Sequence, residues 1–161
     1  MNISDITILS KAGVTQNSAL SGVVSSRGNI IGMAQVAEEA VLRPKDSGAF
    51  AHDLRAAIAA RVARLAGDER LAAHYVADAG QYSTLADPEE TGGQQDELAA
   101  VLSFVDKVAN QTREAAAEDV AGLQAAGVSD ADIVRLCELV AFLAFQVRVI
   151  AGLRLMQRET A

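Results

Sequence analysis

The chain has 161 residues, of which 50% are hydrophobic but only 4% aromatic, with two prolines and no tryptophan. This composition predicts helices packed around a core of alanine, leucine, valine and isoleucine. The net charge of −7 disfavours nucleic acid and anionic membrane surfaces as partners, and one cysteine excludes an internal disulfide and any CxxC or zinc-cluster site. We expect a single all-α domain over residues 1–161, without a metal or cofactor.

The first 25 residues contain glycines and serines without a sustained apolar period, so we expect short helical pieces and turns there. A first helical half over residues 26–80 begins with a helix from about Ile30 to Leu42, which Pro44 ends. Gly67 is expected to end the next helix, and Asp68 to cap the one after it. The helix before Gly67 has apolar positions on one face: Phe50, Leu54, Ile58, Val62 and Leu65.

Residues 81–95 carry Pro88, two adjacent glycines and several acids, and we predict a loop that separates two helical halves. The second half, residues 96–157, opens with an amphipathic helix. A helix from about Thr112 to Ala126 follows, and Gly127 ends it. The apolar positions of the first of these helices are Leu98, Val101, Leu102, Val105 and Val108.

The last helix starts at a capping-box-like pair, Ser129 and Asp132, and is apolar on nearly every face. Such a helix is expected at the centre of the domain or partly buried in a subunit interface. Cys137 is expected to be a small core residue. Four polar residues interrupt the helix, and interface pairing or helix–helix hydrogen bonds would explain them: Glu138, Gln146, Arg148 and Arg154.

The N-terminal sequence lacks the charged and apolar regions of a signal peptide. The longest uninterrupted apolar run, Leu139 to Phe145, is too short to span a bilayer. We therefore expect a cytoplasmic protein with no membrane partner.

Arg61 lies on the apolar stripe of its helix, which is an unusual place for an arginine. It could extend its charged end to the surface, or pair with a carboxylate such as Glu138. Alternatively, its guanidinium could hold a small carboxylate ligand by two parallel hydrogen bonds.

His74 is one of two histidines, and Arg70 and Asp78 stand four residues to either side of it. On one helix Asp78 could orient the imidazole while the other ring nitrogen faces a cavity, which would suit a general acid or base. A solvated charged stripe or a structural histidine would give the same pattern. Tyr75 could pack in the core while its hydroxyl reaches a partner.

Two segments, DLRAAIAARVARLAGDERLAAHY and VAGLQAAGVSDADIVRLCELVAFLAFQVRVIAGLRL, lie in an order that resembles the alkylhydroperoxidase D-like superfamily, which includes the carboxymuconolactone decarboxylases. The phrase LQAAGVSDADIVRL is similar to that family's entry into its last helix. The resemblance covers roughly residues 26–156, and it implies an alkylhydroperoxidase D-like helical bundle with a long apolar C-terminal helix. It also implies assembly into a homo-oligomer.

The peroxidases of that superfamily carry a Glu, a CxxC pair and a His. When the histidine is aligned with His74, Gly67 and Arg70 occupy the two cysteine positions and Arg55 the glutamate position. In a register shifted by one residue, the same positions are occupied by Tyr75, Asp68, Leu71 and Ala56, so neither register retains a cysteine. A chain without the thiolate cannot reduce peroxides in that way. The likeness is therefore to a cysteine-free branch, in which His74 corresponds to the histidine of the decarboxylases.

Three functions follow as hypotheses. The chain could be a cofactor-independent, decarboxylase-like enzyme acting on a small carboxylate or lactone, with Arg61 holding the anion and His74 moving a proton. Tyr75, Asp78, Arg70 and Glu138 would then bind or orient the substrate. Alternatively, the chain is a non-catalytic helical oligomer or the partner subunit of a redox-active relative, or it binds a small anionic ligand without chemistry.

Overall fold

The computed structural model describes residues 5–93 and 95–159, and within these ranges it contains helices and turns but no β-strand. The predicted all-α class is confirmed. The helices are α1 (Thr7–Ala12), α2 (Ser21–Ser26), α3 (Gly28–Leu42), α4 (His52–Leu65), α5 (Glu69–Val76), a 3-10 helix (Gly80–Ala86), α6 (Asp96–Asn110), a 3-10 turn (Thr112–Glu114), α7 (Ala117–Ala125) and α8 (Asp130–Glu159).

The turns follow the local sequence signals. Gly67, with φ of +75°, lies directly after the last turn of α4, where a left-handed residue ends a helix at little cost. The Asp68 side chain then accepts a hydrogen bond from the Leu71 amide at 3.1 Å and caps α5. The Ser129 hydroxyl accepts from the Asp132 amide at 3.2 Å at the start of α8, as the sequence predicts.

The central element is α4, in which every residue from Leu54 to Ala63 is buried. It packs against α5, the 3-10 helix, α6 and α8. The faces of α4 that do not carry Leu54, Ile58 and Val62 carry mostly alanine, whose small side chain lets neighbouring helices approach closely. The alanines with no exposed surface, or nearly none, are Ala56, Ala57, Ala59, Ala60 and Ala63.

The long helix α8 has two different faces, although its sequence is apolar almost all round. One face packs against α1, α3, α4, α6 and α7 and is buried. The other face exposes large apolar side chains, with Val134 57% and Phe145 45% exposed. Within the described residues, α8 is long and apolar enough to cross a membrane, a test that core helices of other proteins also pass. The buried face carries Leu136, Leu139, Val140, Leu143, Gln146 and Ile150.

Two predicted boundaries in the chain were wrong. The predicted helix from Thr112 to Ala126 is divided: a 3-10 turn ends at Glu114, and α7 begins only at Ala117. The carboxylate of Asp119 accounts for the break, since it accepts the Ala116 amide at 2.8 Å and fixes the start of α7. The predicted loop over 81–95 contains most of the 3-10 helix Gly80–Ala86.

Candidate functional site

Arg61 is buried, with only 2% of its side chain exposed, and it is fully paired. Its Nε and Nη2 donate to the two carboxylate oxygens of Asp106, each at 2.6 Å. The remaining donors bind backbone carbonyls at the end of the 3-10 helix and in the segment that follows it, namely those of Leu85, Asp87, Pro88 and Glu90. All five N–H groups are therefore engaged inside the chain.

These contacts correct the expected pairing of Arg61. The carboxylate is Asp106 on α6 and not Glu138, which lies exposed on α8. The bidentate geometry expected for a substrate carboxylate is present, but a side chain of the protein supplies the carboxylate. Arg61 thus ties α4 to α6 and closes the segment between them.

His74 is half-buried on α5, with its ring centroid 5.0 Å from that of Tyr75. Burial lowers the pKa of the imidazole below its usual value, and the positive charge of Lys11 lowers it further. The negative charge of Asp78 opposes this shift. The imidazole is thus kept in its neutral form to a lower pH than an exposed histidine would be.

The three residues Arg70, His74 and Asp78 do not share one helix. Helix α5 ends at Val76, so that Asp78 lies beyond it and forms an ion pair with Arg43. Arg70 is exposed on the first turn. The predicted i, i+4, i+8 row is therefore interrupted before it reaches Asp78, whose described ion pair is with another element.

A cavity of about 540 Å³ lies between the end of α3, the start of α4 and the end of α5. Of the predicted site residues, Tyr75 and Asp78 line it, whereas Arg61 and His74 are not among its lining residues. Its charged groups are Arg43, Asp53 and Asp78, so carboxylates outnumber the cation. This lining does not favour a small anion.

Tyr75 belongs to a buried polar cluster that joins α3, α5 and α8. Its hydroxyl lies 2.9 Å from Oε1 of Glu38 and 2.7 Å from Oε1 of Gln146. The Gln146 amide nitrogen donates to Oε2 of Glu38 at 3.1 Å. All three side chains are almost completely buried. Tyr75 thus has the buried ring and hydroxyl partner that its sequence context predicted.

Counting protons shows the charge state of this cluster. The three contacts form a closed ring that needs three hydrogens, and the tyrosine hydroxyl and the glutamine amide supply one each. Turning the Gln146 amide over does not change this count. The third hydrogen has to come from the Glu38 carboxyl group, so this geometry favours the neutral acid, whereas the hydrogen bond with the Thr7 side chain favours the carboxylate. Burial raises the pKa of Glu38.

Arg55 is a second fully buried arginine that sequence reasoning did not single out as functional. It donates to the backbone carbonyls of Val41, Ser47 and Phe50 at 2.8–3.0 Å and holds the turn between α3 and α4. Burial lowers the pKa of its guanidinium. Arg55 lies just outside the apolar stripe that drew attention to Arg61, so the sequence pattern gave no signal for its burial.

The open face of α8 carries a row of residues that we call the outer stripe: Val134, Glu138, Ala141, Phe145, Arg148 and Gly152. At about 100° per residue these positions fall within roughly 80° of arc. Cys137 lies beside the stripe and is exposed, so its predicted place in the core was wrong. Helix α3, which packs against α8, exposes Ile30, Met33 and Val36.

The chain was compared with known proteins on sequence and on structure. No protein-family model, curated protein or solved structure matches it.

Proposed function

We propose that the chain is a non-catalytic helical subunit that works as a homo-oligomer, with the outer stripe of α8 as its interface. The observation that carries this proposal is the exposure of Val134 near the start and of Phe145 in the middle of a helix whose opposite face is packed against the rest of the chain. Large apolar side chains exposed on one face of a packed helix are typical of places where another molecule binds. Membership of a cysteine-free branch of the carboxymuconolactone decarboxylase superfamily is part of the same proposal.

The enzymatic alternative depends on Arg61 and His74 facing one cavity. All the donors of Arg61 are hydrogen-bonded to Asp106 and four backbone carbonyls. Neither Arg61 nor His74 lines the 540 Å³ cavity. A proton-transfer site needs its acid or base within hydrogen-bond reach of a bound substrate. The non-catalytic subunit is the hypothesis that requires no rearrangement of these contacts.

The packing of α8 makes the outer stripe a rigid surface. Its opposite face holds Gln146 in the cluster with Glu38 and Tyr75, and Arg154 donates to both carboxylate oxygens of Asp68 at 2.9 and 3.1 Å. The helix therefore cannot rotate to hide Phe145 without breaking buried hydrogen bonds. Binding to another molecule removes the stripe from water without breaking these hydrogen bonds.

Replacing Phe145 by Glu tests this proposal. A charge in the centre of a desolvated interface is strongly unfavourable, and we expect the variant to sediment as a monomer at concentrations where the unmodified chain is oligomeric. Val120→Glu on α7 is the control, since Val120 is also exposed (37%) but lies outside the stripe and should leave the assembly unchanged. An unmodified chain that is monomeric at micromolar concentration would contradict the proposal.

A further inference from the structure

We infer that two copies of the chain pair through the outer stripe with their α8 helices antiparallel, related by a twofold axis level with Leu143. This inference rests on the proposed homo-oligomer and specifies its interface. In such a pair, a residue a given number of positions before Leu143 lies level with the residue the same number after it in the partner. The sequence of the stripe is complementary to itself in this register and not in a parallel one.

The charges of the stripe match in this arrangement. Glu138 lies five positions before Leu143 and Arg148 five positions after it, so Glu138 faces Arg148 of the partner subunit, and the contact occurs twice. Within the described part of the chain neither side chain forms an ion pair; Arg148 donates to the carbonyl of Ala144 in its own helix. In a parallel twofold pair each charge would face its own copy, which is repulsive.

The sizes of the apolar side chains also match. Phe145 and Ala141 lie two positions on either side of Leu143, and Val134 and Gly152 nine positions on either side. Each large side chain therefore faces a small one of the partner subunit. This allows two helix axes to approach to about 8–10 Å. A parallel pair would instead place Phe145 against Phe145 of the partner subunit.

The same charges argue for a second copy and against a lipid bilayer as the occupant. Glu138 and Arg148 are ten residues apart, about 15 Å along the helix. A hydrocarbon core about 30 Å thick could enclose both charges without giving either one a partner. A second copy pairs both of them.

Charge reversal tests the register. Glu138→Arg and Arg148→Glu should each weaken dimerisation by at least about tenfold, because each places like charges face to face twice. The combined variant should restore the dissociation constant to within about threefold of the original, since it exchanges the charges and keeps the pairs. Both positions are exposed, so circular dichroism should show an unchanged monomer fold.

Cysteine cross-linking gives an independent readout. In a Cys137→Ser background, Val134→Cys and Gly152→Cys together should form an intermolecular disulfide on mild oxidation, whereas either one alone should not. In the antiparallel pair, identical positions are 18 residues out of level, about 27 Å, far beyond disulfide reach. The Gly152 substitution fits, because a Cβ built there meets no other atom within 4 Å.

The outcomes separate the inference from the proposal beneath it. Absence of any oligomer for the unmodified chain, or association only with lipid vesicles, would overturn both. A stable dimer that cross-links through Val134→Cys alone would overturn the antiparallel register while leaving the homo-oligomer in place. A dimer that neither reversal weakens would likewise overturn the register.

Discussion

At the scale of single residues, the cluster of Glu38, Tyr75 and Gln146 shows how a buried acid can be accommodated by hydrogen bonds to neutral side chains. A carboxylate in that position would lack one hydrogen needed to close the ring and would lose its hydration. The neutral acid satisfies all three side chains and ties α3, α5 and α8 together. Tyr75 also lines the 540 Å³ cavity, so that one wall of this cavity is held in place by the cluster.

The neutral state of Glu38 predicts how stability depends on pH. Because the folded-state pKa is raised above its usual value of 4.5, the stabilisation is complete below that pH and is lost as the pH rises through the folded-state pKa. A glutamine can close the same ring without titrating. The free energy of unfolding of Glu38→Gln, relative to the unmodified chain, should therefore rise with pH, by up to about 1.4 kcal/mol per pH unit.

Urea denaturation of the two chains at a series of pH values measures this difference. Glu89→Gln is the control, since Glu89 is exposed and lies outside the cluster, and it should give a curve parallel to that of the unmodified chain. Parallel curves for Glu38→Gln as well would mean that Glu38 is ionised in the folded protein. Glu38→Ala should cost more than Glu38→Gln at every pH, because it leaves the hydroxyl and amide unpaired.

The sequence predicted which polar residues are buried better than it predicted their partners. Arg61 and Tyr75 stood out because polar groups on apolar faces need hydrogen bonds. Their partners lie far along the chain: Asp106 is 45 positions from Arg61, and Gln146 is 71 positions from Tyr75. No local spacing indicates such contacts, and the hypothesis of a substrate anion at Arg61 arose because Asp106 sits on a different helix.

At the scale of helices, the alanines of α4 set how closely its neighbours pack. Ala60 has no exposed surface and lies in the fully buried part of the helix. Ala60→Leu should therefore destabilise the fold by about 1–3 kcal/mol, since the added atoms have no space in a close-packed interior. Ala40→Leu on the exposed face of α3 is the matched control and should change stability little.

Chemical denaturation of both variants measures the two costs. Equal stability of Ala60→Leu and Ala40→Leu would show that α4 is less tightly packed than its burial indicates.

Helix ends marked by a glycine or a capping side chain were predictable, whereas the placement of the helices was not, for a physical reason. Gly67, Asp68 and Ser129 act on backbone groups within a few residues, so their effect can be read from adjacent positions. Whether a helix is central depends on the side-chain sizes on all its faces. Alanine occurs on buried and on exposed helix faces alike, so the apolar pattern of α4 did not show that its alanine faces are buried. The apolar sequence of α8 was compatible with a central place or with a subunit interface, whereas α4 is the helix enclosed on all sides and α8 is buried on one face.

At the scale of the whole molecule, folding and assembly are linked through α8, because one of its faces packs inside the chain and the other is open to a second copy. Anything that binds only the folded state stabilises it by mass action, and a second copy acts in this way. If dimerisation buries the outer stripe, the unfolding temperature of the unmodified chain should rise with protein concentration. A hundredfold increase well above the dissociation constant adds roughly 1.4 kcal/mol of stability per chain.

Differential scanning calorimetry over a hundredfold range of concentration measures this rise. Phe145→Glu should show an unfolding temperature independent of concentration, because its monomer does not pair, while Val120→Glu should follow the unmodified chain. The Glu138→Arg, Arg148→Glu double variant should also follow it. A flat response in the unmodified chain would indicate that the folded monomer tolerates the exposed stripe, and the stripe would then contribute nothing to stability through self-association.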